Sequence, residues 1–217
     1  MFLITFLVFV AQVSLANSVG KGFLNNHEVE FSIERGPDFV KINGDFGLGN
    51  TNYQITTSGN QSIFKGQIHN KNISMSTEAL SGLIKIEGEF NSQPINMSIS
   101  QNSVASRFSG LNTGRELSTH VAKDIYGTTR VTGFYQRDLY DLYIYENEGD
   151  IIFEGYANGY WTNLKIKKMS NFYEFKGKFA NSDVQLRLTK GSIELNEFIE
   201  FLLFGFFIPN QPIILLN

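Results

Sequence analysis

Glycine returns along this chain at Gly22, Gly44, Gly66, Gly88, Gly110, Gly133, Gly155 and Gly177, at intervals of 22 residues with a single 23. Its flanks return with it. Two residues before the glycine stand Ile42, Phe64, Ile86, Phe108, Val131, Phe153 and Phe175, and two after it Leu24, Phe46, Ile68, Phe90, Tyr135 and Phe179. Seven, nine and eleven residues after it the apolar alternation continues, as Val29-Phe31-Ile33, Ile73-Met75-Thr77, Ile95-Met97-Ile99, Tyr140-Leu142-Ile144 and Val184-Leu186-Leu188. Successive side chains of a strand point to opposite faces, so alternation of this kind means strands with one buried face. The intervening residues are mostly polar, as Lys65, Gln67, Ser74 and Ser76 show. A repeat this regular fixes the architecture before any single residue is considered.

The two strands of a unit are separated by four residues, such as His69-Asn70-Lys71-Asn72, Asn158-Gly159-Tyr160-Trp161 and Ala180-Asn181-Ser182-Asp183. Asn, Asp and Gly suit the left-handed angles of tight turns. Between units, Ser58-Gly59-Asn60 and Glu148-Gly149-Asp150 mark a second reversal. Turn chemistry at both reversals favours hairpins over the competing β-solenoid, in which each 22-residue unit is one coil. The expected fold is all-β: an antiparallel meander of eight hairpin repeats curled around an apolar core, spanning residues 17–190. The repeating glycine is expected to face inward, where its missing side chain admits another layer.

The half-motif apolar-x-Gly-x-apolar at this period, as in Phe153-Glu154-Gly155-Tyr156 followed by Asn158-Gly159, resembles the first strand of MORN (membrane occupation and recognition nexus) repeats. The likeness covers half of each unit from Gly22 to Gly177. It implies a hairpin meander used for scaffolding and, in some members, lipid or partner contact. Met75, Met97, Leu142, Leu164 and Leu186 stand where that family carries further glycines, which implies a bulkier core here. No functional residue transfers.

Both ends of the chain are apolar. Residues 1–16 read as a secretory signal peptide, with an apolar run from Phe2 to Val10 broken only by Thr5, and Ser14-Leu15-Ala16 before a cut after Ala16. The n-region has no Lys or Arg. The expected location is therefore secreted, periplasmic or cell-envelope. Residues 191–217 are expected to belong to the same domain as a short helix and tail. Asn196 suits an N-cap, Glu197 and Glu200 suit the first turns, and Phe201 to Ile208 is apolar all round. From Glu197 to Ile208 such a helix is ~18 Å long, too short for a ~30 Å hydrocarbon core. It is expected to pack on the sheet through Phe201, Phe204 and Phe207, because a round sixteen-stranded barrel would otherwise leave a channel lined by apolar residues. The alternative is membrane contact through residues 198–216. A membrane-spanning barrel is disfavoured, since strands of seven or eight residues fall short of the nine to eleven required.

Composition excludes several kinds of chemistry. Zero cysteines remove disulfides, thiol nucleophiles and Cys-ligated metal, and a net charge of −3 argues against nucleic acid. His27, His69 and His120 lack metal-ligand spacing. Glu87 and Glu89 flank Gly88 as a pair of carboxylates without an implied cleft, and Glu146, Glu148 and Asp150 form an acidic turn. No catalytic residue, cofactor site or metal site is assigned.

One deviation remains. Strand parity turns Phe134, Tyr143, Tyr145 and Tyr156 away from the core, beside Asp141 and Ile152, where other units place Lys, Gln, Ser or Glu. Exposed aromatics on a sheet suit sugar stacking or a protein partner. The expectation is an exported, non-catalytic structural or binding protein that meets a glycan or protein through this patch. Two alternatives stand: a carrier of lipid or another hydrophobic ligand, and a glycan-acting enzyme using Glu87 and Glu89.

Overall fold

A computed structural model describes residues 17–45, 49–102, 105–112, 115–191 and 195. Sixteen strands follow one another: β1 (Ser18–Leu24), β2 (His27–Arg35), β3 (Phe39–Asp45), β4 (Asn50–Ser58), β5 (Gln61–Ile68), β6 (Lys71–Leu80), β7 (Leu83–Phe90) and β8 (Gln93–Gln101). The second half comprises β9 (Ala105–Asn112), β10 (Arg115–Lys123), β11 (Thr129–Tyr135), β12 (Asp138–Asn147), β13 (Asp150–Ala157), β14 (Tyr160–Lys168), β15 (Phe172–Phe179) and β16 (Ser182–Thr189). Each pairs antiparallel with its chain neighbours, as in hairpins and not in the parallel coils of a solenoid.

The open meander is corrected by the seam: β1 pairs with β16, so the sheet is a closed sixteen-stranded barrel. Closure removes the two edges that a meander would leave unpaired. The seam repeats the internal register. Gly66 lies opposite Tyr53, nine residues after the preceding repeat glycine, and Gly22 likewise lies opposite Leu186, nine after Gly177. Within a unit the glycine meets position seven instead, as Gly66 meets Ile73. Each unit therefore shifts the ring by two residues, and the eight units accumulate a stagger equal to the strand number. That ratio of stagger to strand number tilts strands by ~36°. Beyond β1–β16, the seam is latched by Asn25, whose N–H donates to the Asp183 carbonyl and whose Oδ1 accepts from the Asp183 N–H at 2.8 Å.

No helix accompanies the strands among the described residues. The expected helix at 197–208, with Phe201, Phe204 and Phe207, lies outside them, as does the expected signal at 1–16. The channel anticipated for a barrel of this size is not what the inward residues show. Phe64, Met97 and Leu186 are each 3% exposed, and Phe108, Phe153, Phe175 and Phe179 are buried still deeper. The interior is a dry core. The outward face carries Lys65, Gln67, Ser76 and Glu87, the reverse of a barrel whose outer wall meets lipid.

Two local expectations are also corrected. The turns within units are two residues long, not four, with paired positive φ at Asn25-Asn26, His69-Asn70, Asn91-Ser92, Asn158-Gly159 and Ala180-Asn181. These are the left-handed pairs whose twist matches that of the flanking strands. The repeat glycine makes room for the neighbouring strand, not for another layer. A Cβ on Gly88 would meet the Ser74 carbonyl oxygen and lie 2.6 Å from the Met75 Cα, and the same collision recurs around the barrel.

The core also holds phenols. Burial pushes the Tyr53 hydroxyl well above the usual tyrosine range, and it does the same to Tyr140, with help from the charges of Asp138 and Tyr135. A raised folded pKa leaves stability intact while both states keep the proton. Stability is lost once pH exceeds the unfolded value of about 10, because only the unfolded chain then ionises. Each tyrosine should cost about 1.4 kcal/mol per pH unit above that point. Denaturant titrations at pH 9 and 11 should show the loss, and Tyr53→Phe with Tyr140→Phe should flatten it. An unchanged slope in the double variant would count against burial as its origin.

Candidate functional site

The aromatic deviation around Gly133 and Gly155 becomes a site because β12, β13 and β14 present their outward residues side by side. Tyr143, Tyr145 and Tyr156, with Asp141, Glu154 and Trp161, line a cleft of about 390 Å³ over Gly155.

Contacts among the cleft side chains hold them in fixed poses. Tyr156 and Trp161 are cross-strand partners whose rings meet edge to face at 5.4 Å. Arg130 lies over the Tyr143 ring at 5.0 Å and binds Asp141 with two bonds, Nε to Oδ1 at 2.9 Å and Nη2 to Oδ2 at 3.2 Å. The Tyr145 hydroxyl donates to Glu154 Oε2 at 2.8 Å, and that hydrogen bond raises the phenol's pKa, with burial and the carboxylate charge adding to it. A planar fork on a carboxylate and a ring beneath it is a rigid arrangement. Both carboxylates act here as acceptors with lone pairs to spare, which suits binding of hydroxyl groups more than proton transfer.

The structure brings together three of the four aromatic residues expected from parity. Phe134 is the exception: it is 37% exposed but sits one row away, opposite Ser118 and Leu139. It lines a separate groove of about 530 Å³ with Arg107, His120 and Thr132. Trp161, which the sequence reading places in a four-residue turn, belongs to the site because the turn stops at Gly159 and β14 begins at Tyr160. Its signal was the Asn-Gly pair, a two-residue turn by composition.

The remaining candidates do not converge. Glu87 and Glu89 are exposed and face Ser76, Asn96, Ser74 and Pro94. Glu146 and Asp150 turn to Lys168 and Lys165, at 2.9 Å and 2.7 Å. His69 is buried in its turn, where its N–H donates to Thr51 Oγ1 at 3.3 Å. His27 begins β2 at the surface. Among the described residues no three His, Cys, Asp or Glu side chains gather as a metal site. Compared with protein-family models, curated proteins and solved structures, the chain matches none.

Proposed function

We propose that this chain is an exported, non-catalytic binding protein that holds a carbohydrate against the outer wall of its barrel. The observation carrying this reading is the cleft of Tyr143, Tyr145, Tyr156 and Trp161 framed by the acceptors Asp141 and Glu154. Rings with an apolar face stack on the C–H face of a sugar at low entropic cost, and carboxylates accept from its hydroxyls. Export rests on the apolar run of Phe2 to Val10. A cut after Ala16 leaves every strand whole, since β1 starts at Ser18. The inward faces are already buried, which weighs against lipid carried inside the barrel.

Titration calorimetry of the mature chain with neutral and acidic oligosaccharides tests the reading. Trp161→Ala should weaken binding about tenfold or more, as truncated aromatic anchors do. Thermal stability should barely change, because Trp161 is 48% exposed. An absence of binding to every oligosaccharide, or wild-type affinity in Trp161→Ala, would reject it.

A further inference from the structure

The cleft is one end of a longer feature. Seven outward residues on consecutive strands are direct cross-strand partners in a single row: Ser100, Arg107, His120, Thr132, Asp141, Tyr156 and Trp161. Strand spacing places neighbours ~4.8 Å apart, so about 14 Å separates His120 from Tyr156. The aromatic cleft lies at one end of this row, and the groove of Arg107 and His120 at the other.

The two ends differ in charge. The groove is lined by Arg107 and His120 with the hydroxyls of Ser100, Ser118 and Thr132, and among the described residues no carboxylate lines it. The charged groups around His120 are Arg107 opposite it on β9 and Arg130 diagonally across on β11, with Ser118 and Ala122 on its own strand. The row's only acid, Asp141, is neutralised by the two-pronged contact with Arg130. An anion lying along the row therefore meets a compensated centre and a cationic end.

Resting on the carbohydrate reading, we infer that the ligand class is an acidic glycan laid across the strands. One sugar ring stacks at Tyr156 and Trp161, and a carboxylate or sulfate further along the same oligosaccharide, about 14 Å away, is held by Arg107 and His120. The Arg107 guanidinium supplies a fixed charge, and the His120 ring adds a hydrogen-bonding nitrogen beside it.

The test compares a hexuronic acid tetramer with its fully methyl-esterified, neutral form on the whole mature chain. The acid form should bind about tenfold tighter, the worth of a charge-assisted contact. The double variant Arg107→Ala/His120→Ala should bind the two forms alike while keeping its affinity for the ester, and Trp161→Ala should weaken both equally. Equal binding of acid and ester by the wild type overturns the acidic-glycan inference and leaves the carbohydrate reading standing. So does a preference that survives the double variant. If the wild type binds neither form nor any neutral oligosaccharide, the carbohydrate reading falls, and this inference with it.

Discussion

Gly66→Ala should remove about 4 kcal/mol or more of folding free energy, whereas Gly59→Ala should cost only ~1 kcal/mol. Both glycines have positive φ, +145° and +59°. Nothing lies within 4 Å of a Cβ built on Gly59, a turn residue, so its substitution incurs only the left-handed penalty. A Cβ on Gly66 would land on the Asn52 carbonyl oxygen, 2.5 Å from the Tyr53 Cα. Backbone atoms of a paired strand cannot rotate away as a side-chain tip can. Relief would require β4 and β5 to separate, with loss of ladder hydrogen bonds on both sides of the collision. The backbone region itself, used essentially by glycine alone, adds ~1–3 kcal/mol. Against a total stability of ~5–15 kcal/mol, the variant should sit near the edge of folding. Urea unfolding of the two variants beside the wild type measures the difference. Equal losses would mean that the strands at the glycine ring are not in such close contact.

That contrast also shows what the sequence could and could not disclose. The 22-residue spacing made the strands, their alternation and their buried faces legible, because Phe64, Met97 and Leu186 recur at positions that strand geometry assigns to one side. It did not disclose that the last unit returns to the first. The seam between Gly22 and Leu186 obeys the same register as Gly66 with Tyr53, but a repeat states only how one unit meets the next. Whether the accumulated stagger closes the ring depends on curvature, to which every unit contributes a little. The glycine's role was hidden for a related reason. The atom it spares, the Asn52 carbonyl oxygen, is backbone and leaves no mark on residue identity.

The site was legible in part. Tyr143, Tyr145 and Tyr156 follow from parity alone, since each interrupts a row that is polar in other units. Trp161 is hidden by turn length: a turn of two residues and not four moves its side chain from loop to strand. His69 and Ala180, at φ of 49° and 45°, are not residues that announce a left-handed turn. The row from Ser100 to Trp161 could not be seen, because it joins residues on seven strands through registers that only the folded sheet defines.

Phe175→Ala should cost ~3–5 kcal/mol, as truncation of a buried phenylalanine does, while Tyr143→Ala should cost ~1 kcal/mol or less. Phe175 is 1% exposed and lies opposite Ile166 and Leu186 on the inward face. Its ring would leave a cavity between strands already paired on both sides, where the backbone cannot collapse to fill it. Tyr143 is 38% exposed on the outer wall, and its loss forfeits the Arg130 guanidinium contact and some half-buried ring surface. For a chain of this length each kcal/mol corresponds to about 2–4 °C, so the Phe175 variant should melt roughly 10 °C lower and the Tyr143 variant within a few degrees of the wild type. The pair separates two faces of one sheet by the same readout. Comparable losses at both positions would mean that the inward and outward faces have been assigned the wrong way round, and the cleft at Tyr156 and Trp161 would then be part of a core.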